Sequence, residues 1–83
     1  MATARLISRA FLGAAILEGK PVGSYKMVGQ YIGVDGDMIL RWQLGQEIPS
    51  SAQEARLRML EYVVDCTESL IRKTKQNLSL MDV

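Results

Sequence analysis

Apolar residues recur at three- and four-residue steps along most of the chain, which is the spacing of one face of an α-helix. Turn residues divide this pattern into four helical segments, at positions 3–18, 25–31, 36 to about 44, and 51 to about 75. No stretch shows the polar–apolar alternation that is typical of a half-buried β-strand. The pattern therefore predicts an all-α fold with four helices.

The boundaries of these segments carry residues that begin or end helices. Ser24 and Asp35 each precede a segment, where their side chains can accept hydrogen bonds from free backbone N–H groups. Gly33 can adopt positive φ between the two short segments. Ser51 and Glu54 have the spacing of a capping box at the start of the fourth segment.

The two short segments and their turn form a pattern that is typical of a helix-turn-helix, over about residues 24–45. Two helices that cross steeply through a tight turn need a small residue where they touch, which Gly29 supplies, and an apolar residue at the corner, which Val34 supplies. Four further apolar residues are spaced to face one core: Val28, Ile32, Ile39 and Trp42.

The motif resembles the helix-turn-helix of phage repressors and Cro-like regulators, and most of all the CII-type transcriptional activators of lambdoid phages. The resemblance rests on Gly33-Val34-Asp35, Ile39, Arg41-Trp42 and Ile48-Pro49, with a weaker extension over residues 60–65. It implies a lambda-repressor-like four-helix domain with a long C-terminal dimerisation helix. It also implies a DNA-binding regulator of transcription that acts as an oligomer, with the third helix in the major groove of a two-fold operator. Carried over by position, the DNA-binding residues are Tyr25, Lys26, Gly36, Asp37, Met38 and Arg41.

The charges of the motif depart from what DNA binding usually requires. Residues 24–49 contain two basic side chains, Lys26 and Arg41, against three acidic ones, although phosphate binding normally shows the opposite balance. Arg41 can pair with the edge of guanine or, alternatively, with Asp37 four residues earlier. Most of the remaining basic charge lies outside the motif, at Arg5, Arg9, Lys20, Arg72, Lys73 and Lys75.

This departure opens a second hypothesis, in which the helix-turn-helix is a scaffold for binding a host protein. Met38, Leu40 and Leu44 place apolar side chains on a face that is usually polar, and apolar surface beside an arginine is typical of protein interfaces. Such a module would sequester or modulate its partner without contacting DNA.

The fourth segment carries two apolar stripes, which is more than a small monomer needs to bury. One stripe can close the core: Leu57, Leu60, Val64, Thr67 and Ile71. The second predicts the interface of a homodimer or a higher homo-oligomer: Met59, Val63, Cys66 and Leu70.

Composition excludes several kinds of chemistry. The 83 residues support one modest core, so we expect a single domain over residues 1–76 and a frayed tail at 77–83. The chain has no His and a single Cys, and Asp35 and Asp37 would point to different sides of a helix start. We therefore expect neither an enzyme nor a metal or other cofactor.

The first segment also resembles a short targeting sequence, because two arginines precede an apolar stretch. It lacks a cleavage signal and falls short of the ~20 apolar residues of a membrane span, so we expect a first helix, no membrane partner, and a protein of the cytoplasm of a bacterial or infected host cell.

Overall fold

The structure, a computed structural model, describes the backbone of residues 2–81 and the surroundings of side chains 3–75. This part of the chain forms four helices and no strand, which confirms the all-α prediction. The helices are α1 (Ala2–Glu18), α2 (Tyr25–Ile32), α3 (Gly36–Gln43) and α4 (Ser51–Met81).

The core contains residues of all four helices: α1 and α2 pack against the first half of α4, and α3 packs against α1 and α2. The residues predicted to face one core from the helix-turn-helix are all buried, with Trp42 only 2 % exposed. From α4, the first apolar stripe contributes Leu57, Leu60 and Val64, while Thr67 is half-buried and Ile71 is half-exposed. The remaining core side chains come from α1: Leu6, Ile7, Ala10, Ala14 and Ala15.

α1 and α4 approach each other so closely that one position requires glycine. A Cβ atom on Gly13 would lie 2.1 Å from the carbonyl oxygen of Leu60, which is too short for any contact between those atoms. Gly13 therefore allows two helix backbones to touch, although glycine disfavours a helix by about 1 kcal/mol relative to alanine.

The N-caps of the two short helices are those that the sequence predicts. The Ser24 hydroxyl accepts a hydrogen bond of 3.1 Å from the backbone N–H of Met27, and the Asp35 carboxylate accepts one of 3.0 Å from the N–H of Met38. Each bond satisfies an N–H group that has no partner within its own helix.

The capping box of α4 lies one residue earlier than the sequence analysis placed it. The backbone N–H of Gln53 donates to the Ser50 hydroxyl at 3.2 Å, and the N–H of Ser50 donates to the Gln53 side-chain oxygen at 2.8 Å. Ser51 is therefore the first helical residue and not the cap. Since glutamine completes the box as well as glutamate does, Glu54 is left to pair with Arg58 at 2.9 Å.

α4 is also longer than expected. It continues to Met81, past the predicted end near Lys75. Residues 76–81 contain neither glycine nor proline, and their glutamine, leucines and methionine are good helix formers. Residues 82 and 83 lie outside the described part of the chain.

Candidate nucleic-acid interface

The turn between α2 and α3 has the geometry that its glycines predict. Gly33 ends α2 with φ of 92°, and its N–H donates to the carbonyl of Gly29 at 2.8 Å. A Cβ atom on Gly29 would lie 2.5 Å from the carbonyl oxygen of Val34, so α3 can follow α2 this tightly only because Gly29 has no side chain. Val34 packs on the core at the corner, as predicted.

An arginine from α4 stabilises this turn through a contact that was not predicted from the sequence. The guanidinium of Arg56 donates to the carbonyl oxygen of Ile32 at 2.6 Å, which satisfies an acceptor left free at the end of α2. The two residues are 24 positions apart. No local sequence pattern predicts such a contact, because the contact depends on how α2 and α4 pack against each other.

The side of α3 that faces away from the core consists of Asp37, Leu40, Arg41 and Leu44, and we refer to it as the α3 outer face. All four residues are exposed, whereas Ile39 on the opposite side is fully buried. Within the described residues α3 packs against α1 and α2 and not against α4, and no other described helix covers this face.

Two of the residues predicted to contact DNA are less available than expected. Met38 is half-buried and packs against the core, since it lies on the same side of the helix as Trp42. Gly36 is also half-buried, and a Cβ there would lie 3.1 Å from the Cβ of Tyr25. Gly36 thus serves the close approach of the two helix starts, and it offers no side chain to a base.

Tyr25 is held in place at the start of α2. Its ring meets Phe11 edge-on, with 5.0 Å between centroids, and its hydroxyl donates a hydrogen bond to the side-chain oxygen of Gln43. The residue remains 37 % exposed beside Lys26, which is also exposed. The structure therefore brings Tyr25 and Lys26 together at the end of the motif where α2 begins.

Arg41 pairs with Glu47 and not with Asp37, so the predicted alternative pairing is wrong. In the turn after α3, the backbone nitrogen of Glu47 lies 3.4 Å from the carbonyl oxygen of Arg41. In the side chains, 3.7 Å separates Nη1 of Arg41 from Oε1 of Glu47. Both side chains are about half-exposed, with 52 % of the arginine and 44 % of the glutamate accessible. An exposed pair of this kind is worth little and exchanges readily with another anion.

Arg9 is one of the basic residues that could reach phosphates according to the sequence, but it is paired with acidic residues of α4. Its guanidinium donates to Asp65 at 2.7 Å and to Glu68 at 3.2 Å, and thereby ties α1 to α4. The hydrogen bonds that Arg9 donates to Glu68 and, second, to Asp65 raise the pKa of Arg9 above its ordinary value. Lys20, Arg5, Arg72, Lys73 and Lys75 are exposed.

The second apolar stripe of α4 is uncovered, and we call it the α4 outer face. Met59 and Leu70 are 69 % and 65 % exposed, Cys66 is exposed and Val63 is half-buried. Tyr62, which the sequence analysis missed, extends this face and is 67 % exposed. The Cys66 thiol, one helical turn away, raises the pKa of the Tyr62 phenol.

A groove of about 270 Å³ adjoins the α4 outer face where α1, α2 and α4 meet. Leu17 and Tyr31 form one wall, while Met59 and Val63 form the other, so the groove and the α4 outer face are one continuous apolar surface. The Tyr31 hydroxyl donates to Glu18 at 3.1 Å at the rim.

Neither a cluster of metal ligands nor a membrane-spanning helix is found in the part of the chain that the structure describes. No three His, Cys, Asp or Glu side chains come together as metal ligands there. None of the helices described is both long enough and apolar enough to cross a membrane.

No family model matches this chain, and no match to it is found among curated proteins or among solved structures. The resemblance to phage helix-turn-helix regulators therefore stays a prediction from the residues quoted above.

Proposed function

We propose that this chain is a small DNA-binding regulator of transcription, of phage or mobile-element type, which binds a two-fold operator as a homodimer in the cytoplasm of a bacterial or infected host cell. One observation supports the proposal. Two short helices are joined by a tight turn that contains glycine, and the second helix has one side in the core and the other side uncovered. This is the arrangement that lets a helix enter the major groove.

Arg41 is the residue that we expect to recognise a base. It lies in the centre of the α3 outer face, and its exposed pairing with Glu47 can exchange for the O6 and N7 atoms of guanine. On binding, Glu47 would turn away from the approaching phosphates.

Lys26 and Tyr25 are the residues that we expect to hold the DNA backbone. The lysine is exposed and supplies charge, while the tyrosine is positioned by Phe11 and Gln43. Its hydroxyl can donate to a phosphate when it exchanges the bond to Gln43 for one to the phosphate oxygen. Phosphate contacts orient a helix-turn-helix without reading the sequence.

The experiment measures affinity for duplexes recovered from a random DNA pool, with three variants at several salt concentrations. Arg41→Ala should weaken binding by about 1–3 kcal/mol for the selected sequence only, because it removes a base contact. Lys26→Gln should weaken binding to all duplexes and lower the slope of log affinity against log salt by about 1. Arg9→Gln is the matched control and should leave the slope unchanged, since Arg9 is paired with Asp65 and Glu68.

The second candidate function is a module that binds a host protein, and the apolar character of the α3 outer face favours it. Leu40 and Leu44 are 38 % and 62 % exposed, and Ile48 just beyond them is 88 % exposed. Met38 contributes only its outer part. If Arg41→Ala leaves duplex binding unchanged while Leu44→Gln abolishes capture of a protein partner, the groove-binding proposal is wrong and this candidate replaces it.

A further inference from the structure

The groove between α1, α2 and α4 has the composition of a small-molecule site. Five of its six lining residues present apolar or aromatic side chains, and they come from three helices: Leu17, Tyr31, Met59, Leu60 and Val63. Leu60 is the most buried of them, with only 4 % exposed. Ligand sites between packed helices are commonly lined in this way, with a small number of polar groups that fix the orientation of the ligand.

Arg56 is the sixth lining residue and the only charged one among them. Its Nη1 atom donates to the carbonyl oxygen of Ile32 at 2.6 Å, and a guanidinium has five N–H donors, so those on Nη2 and Nε remain available. Arg41 and Arg58 are each paired with a carboxylate, whereas no side chain that the structure describes forms an ion pair with Arg56. The groove therefore combines apolar walls with a cation that lacks an anion within the described part of the chain.

The size of the groove limits what can occupy it. Its volume of about 270 Å³ equals roughly nine water molecules at ~30 Å³ each, so it holds a molecule of about ten non-hydrogen atoms. An α-helix is about 10 Å across, so a second copy of the chain could place only one or two side chains there. An apolar side chain of that copy would contact the walls and leave Arg56 without an anion. A small molecule with an apolar chain and a negative charge matches both parts of the groove.

We propose that the groove binds a small amphiphilic acid, with its apolar chain on Leu60 between the two walls and its carboxylate on the guanidinium of Arg56. The carboxylate accepts hydrogen bonds from Nη2 and Nε, while Nη1 keeps its bond to Ile32. Such charge-assisted pairs of hydrogen bonds are about twice as strong as neutral ones. Because Ile32 immediately precedes the turn glycine Gly33, the carboxylate would lie beside the turn of the helix-turn-helix.

One acidic residue, Glu18, lies at the rim of the groove and carries the opposite charge. Its carboxylate already accepts the hydrogen bond of the Tyr31 hydroxyl at 3.1 Å, and it is not among the lining residues. Arg56 does line the groove, so its charge acts on a bound molecule at shorter range. We therefore expect the groove to prefer an anion to a cation.

Titration of the isotope-labelled full chain with octanoate at pH 7, without DNA, tests the site by nuclear magnetic resonance. We expect saturable shifts of backbone amide signals at the groove residues and at Ile32, with a dissociation constant of about 1 mM, which an efficient ligand of about ten atoms can reach. Octylammonium has the same chain and the opposite charge, so it is the matched probe and should bind about fivefold more weakly. The titration is repeated with Leu70→Glu, in which we expect no second copy to cover the α4 outer face.

Two pairs of variants separate charge from apolar contact. Arg56→Gln should weaken octanoate binding about tenfold because it removes a charged hydrogen-bond donor, while Arg58→Gln, outside the groove on the same helix, should leave it unchanged. Met59→Glu and Met59→Lys both replace a side chain that is 69 % exposed and outside the core, so both variants should fold. Met59→Glu should bind octanoate several-fold more weakly than Met59→Lys. This second pair keeps the test valid if Arg56→Gln loosens the turn at Ile32.

Three results would overturn the proposal. The first is the absence of saturable shifts with about 10 mM octanoate in both the unaltered chain and Leu70→Glu. The second is equal affinity for octanoate and octylammonium, which would show apolar contact without recognition of an anion, and the third is equal affinity of the two Met59 variants. Binding by Leu70→Glu alone would support the site and show that a second copy competes for it. These titrations contain no DNA, so this inference and the proposed function can fail separately.

Discussion

Single residues explain how so short a chain holds its helices close together. Gly13 and Gly29 each stand where a Cβ atom would collide with a backbone carbonyl of a neighbouring element. Neighbouring backbone cannot move aside as a flexible side chain can, so the close packing of α1 on α4 and the tight turn before α3 both depend on the missing side chains. Arg56 completes the turn from a distance by its hydrogen bond to Ile32.

Gly29→Ala should destabilise the protein by about 2–3 kcal/mol, because the new methyl group must displace the carbonyl of Val34 and with it the start of α3. Urea unfolding followed by circular dichroism measures the change. Gly19→Asn is the matched control: Gly19 has φ of 66° and open space around it, so its substitution should cost at most about 1 kcal/mol. A loss for Gly29→Ala no larger than that for Gly19→Asn would show that the contact with Val34 does not require glycine, since Gly29 lies within α2 and has no positive φ.

Residue types and spacings predict features that depend on neighbouring residues, and the structure confirms those features. The caps Ser24 and Asp35, the turn at Gly33 and the buried Trp42 all follow from a few neighbouring residues. Contacts between distant positions could not be predicted in this way, since the packing of helices decides which charged groups meet. For that reason the pairing of Arg9 and the contact of Arg56 were missed, and the partner of Arg41 was wrong.

At the scale of elements, α4 has two different faces along one helix. Its first apolar stripe is buried in the core as far as Val64, while the α4 outer face is left uncovered. The sequence predicts both stripes, but it does not show that the first leaves the core before Ile71, because this depends on where α1 begins. It also could not show that the α4 outer face continues into a groove, since the other wall comes from α1 and α2.

The contact between the ends of α1 and α2 should make stability sensitive to alkaline pH. Burial, and then the hydrogen bond to Glu18, raise the pKa of the Tyr31 phenol. The folded state therefore keeps the proton that the unfolded state loses near pH 10, so this contribution to stability is complete below about pH 10 and is lost as the pH rises further.

Urea unfolding midpoints between pH 8 and pH 11 test this effect. The midpoint of Tyr31→Phe should fall less steeply above pH 10 than that of the unaltered chain, because the variant has no phenol to ionise. Tyr62→Phe is a useful comparison, since its phenol pKa is raised mainly by Cys66 on the same helix. Parallel curves for Tyr31→Phe and the unaltered chain would show that burial and the contact with Glu18 do not favour the protonated phenol.

At the scale of the whole molecule, two uncovered surfaces lie on different elements. The α3 outer face is the surface proposed to bind DNA, and the α4 outer face is the one proposed to join two copies. A two-fold dimer would present two α3 helices to one duplex, which is how helix-turn-helix proteins bind paired half-sites. Assembly and DNA binding can therefore be disturbed separately.

Leu70→Glu should convert the dimer to a monomer at tens of micromolar, because it places a charge in the apolar seam. Sedimentation equilibrium measures the mass. Leu12→Glu is the matched control, since Leu12 is 52 % exposed on α1 and lies outside the groove and the α4 outer face, so this variant should remain dimeric. Dimers of unchanged affinity for Leu70→Glu would exclude α4 as the interface.

The central claim is that α3 reads DNA, and the most direct measurement of it is selection of bound duplexes from a random pool at low salt. We predict enrichment of a two-fold repeated motif whose half-sites lie about one helical turn apart, with a guanine in each half-site that Arg41→Ala no longer selects. Recovery of unenriched sequences, with only weak and salt-sensitive retention, would contradict the claim and leave the α3 outer face as a surface for protein.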